Sequence, residues 1–205
     1  VSAPWTNDGI ARVEGGTLTF NANGDPDNRG ALSVSSGTLN LAGSWTNSGT
    51  LTATGGMLNV GGTGGWSTAS PLTANNATVN FTGTLYNTAG TLVLDGNGPF
   101  RLQGGALNSS TVTMTNGAKL VGTSLGGSLL GVTLNGDMDL TNGSVSVGGL
   151  TLNGTLWVGA SDGSTKGTVT FTNTQTVGGS GSIVLGAHPN IYMAPLCQQS
   201  APRTR

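Results

Sequence analysis

The sequence predicts an all-β chain wound into a parallel β-helix, a three-sided β-solenoid of about nine coils of roughly 20 residues each. Three observations carry that reading. Two columns of apolar positions recur in a fixed phase along the chain. Each column alternates apolar and polar residues. Glycine and asparagine corners separate the short runs, and a helical period is absent throughout.

The first column starts at Ile10, Leu32, Leu51, Leu72, Leu92, Val112, Val132, Leu150 and Val169. The second starts at Leu18, Leu39, Leu58, Val79, Phe100, Ala118, Met138, Leu156 and Val177. The first-to-second gap stays between 6 and 8 residues, and the return gap never exceeds 14. A unit this small cannot bury its own apolar face, so its stability must come from stacking on its neighbours. Within the columns, Leu39–Asn40–Leu41, Val79–Asn80–Phe81 and Val169–Thr170–Phe171 alternate with period two, the mark of a strand with one buried face. Corners such as Gly15–Gly16, Gly55–Gly56, Asn7–Asp8–Gly9 and Asn47–Ser48–Gly49 supply residues that tolerate positive φ.

A weaker third column, Trp45, Trp66, Leu85, Leu107, Leu125 and Val145, gives each coil its third side. Trp5 stands two coils before Trp45. Between them, Asn23 to Asn28 is expected to replace that side with a loop. The phase is lost after Ile183–Leu185, so the chain divides into a solenoid domain, 1–186, and a non-repetitive, disordered tail, 187–205. Pro189, Pro195 and Pro202 in that tail would each remove a ladder donor.

Composition narrows the function. Glycine supplies 37 of the 205 residues, charged residues make up 7%, and the formal net charge is −1. This gives no electrostatic reason to expect nucleic acid or an anionic membrane as partner. No apolar run is long enough for a transmembrane helix. Cys197 and His188 are single, so an intrachain disulfide, a thiolate cage and a two-histidine metal site are excluded. No cofactor and no metal are expected. The amino-terminal VSAPWTNDG has no basic and apolar leader and begins inside a repeat, as a piece of a longer protein would.

The phrases WTNDG and WTNSGTL, followed by GGTLTF and GGMLNV, resemble the repeats of large bacterial surface β-helix proteins: filamentous-haemagglutinin-like and autotransporter passengers, and giant surface proteins of planctomycete type. The resemblance covers about residues 5–185. It implies an extracellular or cell-surface location and a structural or adhesin-like role as rigid spacer or passenger. Extracellular glycans, other surface proteins and further repeats of the parent chain would then be its partners.

Stacking turns each outward position into a column along the rod. The second column's central positions read Thr19, Asn40, Asn59, Asn80, Arg101, Lys119, Asp139 and Trp157. The three asparagines should form an amide ladder. Beyond them Arg101, Lys119, Asp137, Asp139 and Trp157 gather scarce charges around an aromatic, and form the candidate carbohydrate-binding surface. The rest of the surface reads as Thr, Asn and Ser without aromatics. A polysaccharide-active enzyme would need two carboxylates at defined separation. Only Asp137 and Asp139 are paired, so the chain is read as a non-enzyme. Threonines at 50, 52, 73, 91, 111, 113, 133, 151, 168 and 170 would suit an ice-binding face, but Pro71, Val93, Gly131 and Gly149 interrupt it.

Overall fold

The computed structural model describes residues 4–22, 26–62, 65–87 and 90–195. The described chain is all-β, with no helix, and its strands pair in parallel. It winds through about eight turns of about 21 residues. At about 4.8 Å per step this makes a rod roughly 40 Å long.

Three faces form two continuous sheets. The third-column strands, including Thr6–Asn7, Asp27–Asn28, Trp45–Asn47 and Trp66–Thr68, stack into one ten-stranded sheet. First-face and second-face strands belong to a fifteen-stranded sheet, because Ile10–Ala22 and Ala31–Gly43 each run unbroken around the corner between those faces. From the third coil onward the strand breaks there, into Thr50–Ala53 and Met57–Val60. The corner needs glycine for two reasons. Gly16, Gly37 and Gly56 have φ of 68°, 80° and 70°. A Cβ on Gly37 would also lie 2.2 Å from the Gly16 carbonyl oxygen, and one on Gly56 2.4 Å from that of Gly37. Only a hydrogen fits between the stacked corners.

Alternation places Leu39, Leu41, Leu51, Leu58, Val60, Leu72, Val79 and Leu94 inside, each at most 2% exposed. Indole and phenyl rings stack within this core: Trp45 on Trp66 at 5.5 Å, Trp66 on Phe81 at 5.9 Å, and Phe81 on Phe100 at 6.3 Å. A polar ladder also runs through the interior. Asn7 Nδ2 donates to Asn28 Oδ1 (2.7 Å), Asn28 Nδ2 to Asn47 Oδ1 (2.6 Å) and Asn47 Nδ2 to Thr68 Oγ1 (3.0 Å). Asn28, Asn47 and Thr68 are buried, so each must find partners inside the protein. The chain supplies them by placing an amide or hydroxyl at the same position in four successive coils.

Several sequence-based expectations are corrected. Asp27–Asn28 pairs with both Thr6–Asn7 and Thr46–Asn47, so the third side persists in the second coil and Pro26 occupies the tryptophan column. Residues 23–25 of the expected loop lie outside the described residues. Leu94, not Leu92, pairs with Leu72. Leu129, not Leu125, continues the third column after Leu107, and Leu125 is exposed. Ile10 faces solvent, and Ala11 pairs with Leu32. Val169 pairs with Val145 on the third face, and the second face continues from Leu156 to Ile183, not Val177. Tyr192–Pro195 adds a parallel strand to Thr168–Phe171, beyond the expected boundary at 186. The remainder of the expected tail, 196–205, lies outside the described residues.

Candidate functional site

The expected amide ladder on the second face is present. Asn59 Nδ2 donates to Asn40 Oδ1 and Asn80 Nδ2 to Asn59 Oδ1, each at 2.7 Å, and Asn40 Nδ2 reaches Thr19 Oγ1 at 3.0 Å. The ladder stops at Asn80, because Arg101 pairs with it in the next coil. Asn80 Oδ1 is buried without a partner. The strip from Asn40 to Arg101 and Gln103 floors an open groove of about 530 Å³.

The candidate carbohydrate surface is only partly assembled. The column runs Asn80, Arg101, Val121, Asp139, Trp157 and Val184. Lys119 is not in it, since it pairs with Pro99, two residues earlier on its strand. Ala118–Lys119–Leu120–Val121 alternates in and out with either neighbour assignment, so Lys119 lies on the expected face but at a different step along the rod. Lys119 therefore lies off the step before Asp139 and forms no ion pair with it. Asp139 Oδ1 instead accepts from the Thr141 N–H (2.8 Å) and hydroxyl (2.7 Å). Asp137 Oδ1 accepts from the Thr155 N–H at 2.8 Å. Both carboxylates are therefore engaged by turn and strand donors. Trp157 is 44% exposed beside Asp139, and Arg101 is exposed two steps from Asp139 and three from Trp157.

Other acids are also held singly. Hydrogen bonds from the Thr115 hydroxyl and the Asn116 amide, both at 2.6 Å, hold Asp95 below the ordinary carboxylate range. The Ser164 hydroxyl and N–H do the same for Asp162. Among the described residues no group of three or more His, Cys, Asp or Glu side chains could hold a metal ion. No helix among them is long and apolar enough to cross a membrane.

Sequence reasoning missed a second cluster, on the third face. A pocket of about 170 Å³ is lined by Pro26, Trp45, Thr46, Trp66, Ser67 and Tyr86, among others. Tyr86 is 57% exposed, and its Cδ2–Cε2 edge lies over Gly65, where a Cβ would approach within 2.2 Å. In register below it stand Ser67, Thr46 and Asp27. The Thr46 hydroxyl donates to Asp27 Oδ1, and Arg29 Nε donates to Asp27 Oδ2, both at 2.8 Å. The Asp27 hydrogen bond, followed by the Asp8 charge, raises the Arg29 pKa above its ordinary value. A signal existed in the sequence: Tyr86 follows Leu85 as Ser67 follows Trp66 and Thr46 follows Trp45.

The described chain is thus a parallel β-solenoid carrying two aromatic-bearing outer patches on different faces. Comparison of the chain with protein-family models, curated proteins and solved structures gave no match.

Proposed function

We propose that the chain is a rigid structural or adhesin-like segment of a secreted or surface-exposed bacterial protein, serving as spacer or passenger through its shape and not through catalysis. The observation that supports this most is the unbroken core: side chains from Leu32 to Val169 stay buried coil after coil, backed by amide ladders inside and out. Parallel ladders and stacked rings resist bending, because a bend would open many contacts at once. The scarcity of paired carboxylates supports the non-catalytic part of the reading. Further repeats of the parent chain, other surface proteins and extracellular glycans are its proposed partners. The test labels intact producing cells with an antibody raised against the rod. Labelling without lysis supports the reading, and labelling only after lysis refutes it.

A second reading, a carbohydrate-binding surface around Arg101, Asp139 and Trp157, draws on the exposure of Trp157 in register with Asp139. Loss of glycan capture in Trp157→Ala is its test. Capture unchanged in that variant refutes it.

A further inference from the structure

We propose that the third-face pocket beside Tyr86 binds one unit of a neutral, hydroxyl-rich hexopyranose chain. The proposal stands independently of the spacer reading, because a rod that binds nothing at this pocket remains a spacer.

The chemistry follows from what is placed there. The face of an aromatic ring carries partial negative charge, and the axial C–H groups on one side of a pyranose ring carry partial positive charge. Such a sugar face stacks on a phenol ring while its equatorial hydroxyls point sideways. Tyr86 offers that plate: it is more than half exposed, and its ring edge rests on Gly65, where no side chain competes for the space. Trp45, Trp66 and Pro26 line the pocket with an apolar floor. Its volume of about 170 Å³ suits one ring, not a larger ligand.

The polar partners are arranged along one line. Ser67, Thr46 and Asp27 occupy successive coils in register with Tyr86, at about 4.8 Å per step. Asp27 is held in place by Thr46 and Arg29, and a carboxylate has lone pairs for further donors. Sugar hydroxyls are such donors. Backbone groups on this face are already used in the parallel ladder, so side chains supply the recognition. An extended chain lying along the column would place one ring on Tyr86 and neighbouring hydroxyls near Thr46 and Asp27.

Charge sets the preference for a neutral sugar. Among the described residues, Asp8 and Asp27 face a single cation, Arg29, which leaves one net negative charge beside the pocket. A uronate or sulfate would be repelled there. This is the reverse of what Arg101 would favour on the second face, so the two patches are distinguishable by ligand charge.

The test titrates the intact chain with cellotetraose, mannotetraose and chitotetraose, and with cellotetraose oxidised to the uronate at C6. Calorimetry gives the affinity, and tryptophan emission reports from Trp45 and Trp66 at the pocket. At least one neutral tetramer is expected to bind, with the oxidised tetramer weaker than cellotetraose. Tyr86→Ala is expected to weaken binding about tenfold, whereas Tyr86→Phe keeps it, since the plate and not the hydroxyl is required. Thr113→Ala, on the first face and outside both patches, should leave it unchanged. Melting curves confirm that each variant is folded, and Ser67→Val serves as a second pocket variant, expected to weaken binding should Tyr86→Ala unfold the chain. Absence of binding by every neutral tetramer, tighter binding of the oxidised one that the pocket variants abolish, or neutral-tetramer binding that survives both folded pocket variants would overturn the proposal.

Discussion

Replacing Asn47 by alanine should destabilise the rod far more than the same change at Asn59, although both asparagines sit in the middle of an amide ladder. Asn47 accepts from Asn28 Nδ2 at 2.6 Å and donates to Thr68 Oγ1 at 3.0 Å and the Gly49 carbonyl at 3.2 Å. It is 2% exposed, so water cannot replace what is lost. Three hydrogen bonds at about 1 kcal/mol net each, with part of the Asn28 and Gly49 valence left unsatisfied, give a loss of about 3–4 kcal/mol. Asn59 exchanges its two ladder bonds on a half-exposed outer face, where water takes over much of the function. Its loss should be about 1 kcal/mol. For a chain of this size, 1 kcal/mol corresponds to a shift of about 2–4 °C. Thermal melting followed by circular dichroism should therefore place Asn47→Ala roughly 6–16 °C below the wild type and Asn59→Ala within about 4 °C of it. Equal shifts in the two variants would refute the assignment of one ladder to the interior and the other to the surface.

Three further outcomes are expected. Leu92→Asp buries a carboxylate in a fully enclosed position and should abolish cooperative melting, whereas Thr113→Asp, half-exposed, should change stability by only about 0.5 kcal/mol; similar melting curves would contradict the inward and outward assignments. The folded pKa values of Asp95 and Asp162 lie below the ordinary 3.8. Their contribution is therefore complete above that value and is lost as pH falls through the lower folded one, so the melting temperature should be flat from pH 7 to about 5 and decline in strong acid. Asp95→Asn should show a smaller acid decline than the wild type, and an identical pH profile would show that Asp95 carries no linkage. Ending the chain at Asn190 removes the strand that pairs with Thr168–Phe171 and leaves that strand as an open edge. The shortened chain should melt lower and self-associate on light scattering, and an unchanged, monodisperse product would mean the last strand contributes nothing.

The architecture was legible in the sequence because two signals reinforce each other. Period-two alternation says which side chains point inward, and the recurrence near 21 residues says that the strands stack and do not form hairpins. Alternation is blind, however, to a shift of two residues. Lys119 for Val121, Leu92 for Leu94, and Val145 where Val147 pairs with Leu129, are all slips of this kind: the face is right and the step along the rod is wrong. Coil length decides the step, and it varies. Val112 to Leu134 spans 22 residues and Leu134 to Leu152 only 18. The loop between Val158 and Thr168 lengthens the later coils and carried Val169 from the first face to the third. The internal Asn7–Asn28–Asn47 ladder was hidden for a different reason. Asparagine beside glycine reads as a turn residue, and only the register reveals that these amides point into the core. Tyr86 escaped notice because a solitary tyrosine gives no column of its own; its significance lies in Ser67, Thr46 and Asp27, which the stacking brings beneath it.

The register of the stacked coils is the claim on which every outer patch depends, and paired cysteines test it most directly. In a chain whose own Cys197 is replaced by serine, Arg101→Cys is combined either with Val121→Cys or with Lys119→Cys. In-register neighbours on adjacent parallel strands lie about 4.8 Å apart, within the range a disulfide spans, whereas a partner two residues away along the strand lies near 8 Å, outside it. The structure pairs Arg101 with Val121 and Pro99 with Lys119. Mild oxidation should therefore close the 101–121 pair nearly completely, with retained melting temperature, and leave the 101–119 pair as free thiols. Closure of 101–119 in preference to 101–121 would contradict the stacking register and the two surface patches built on it.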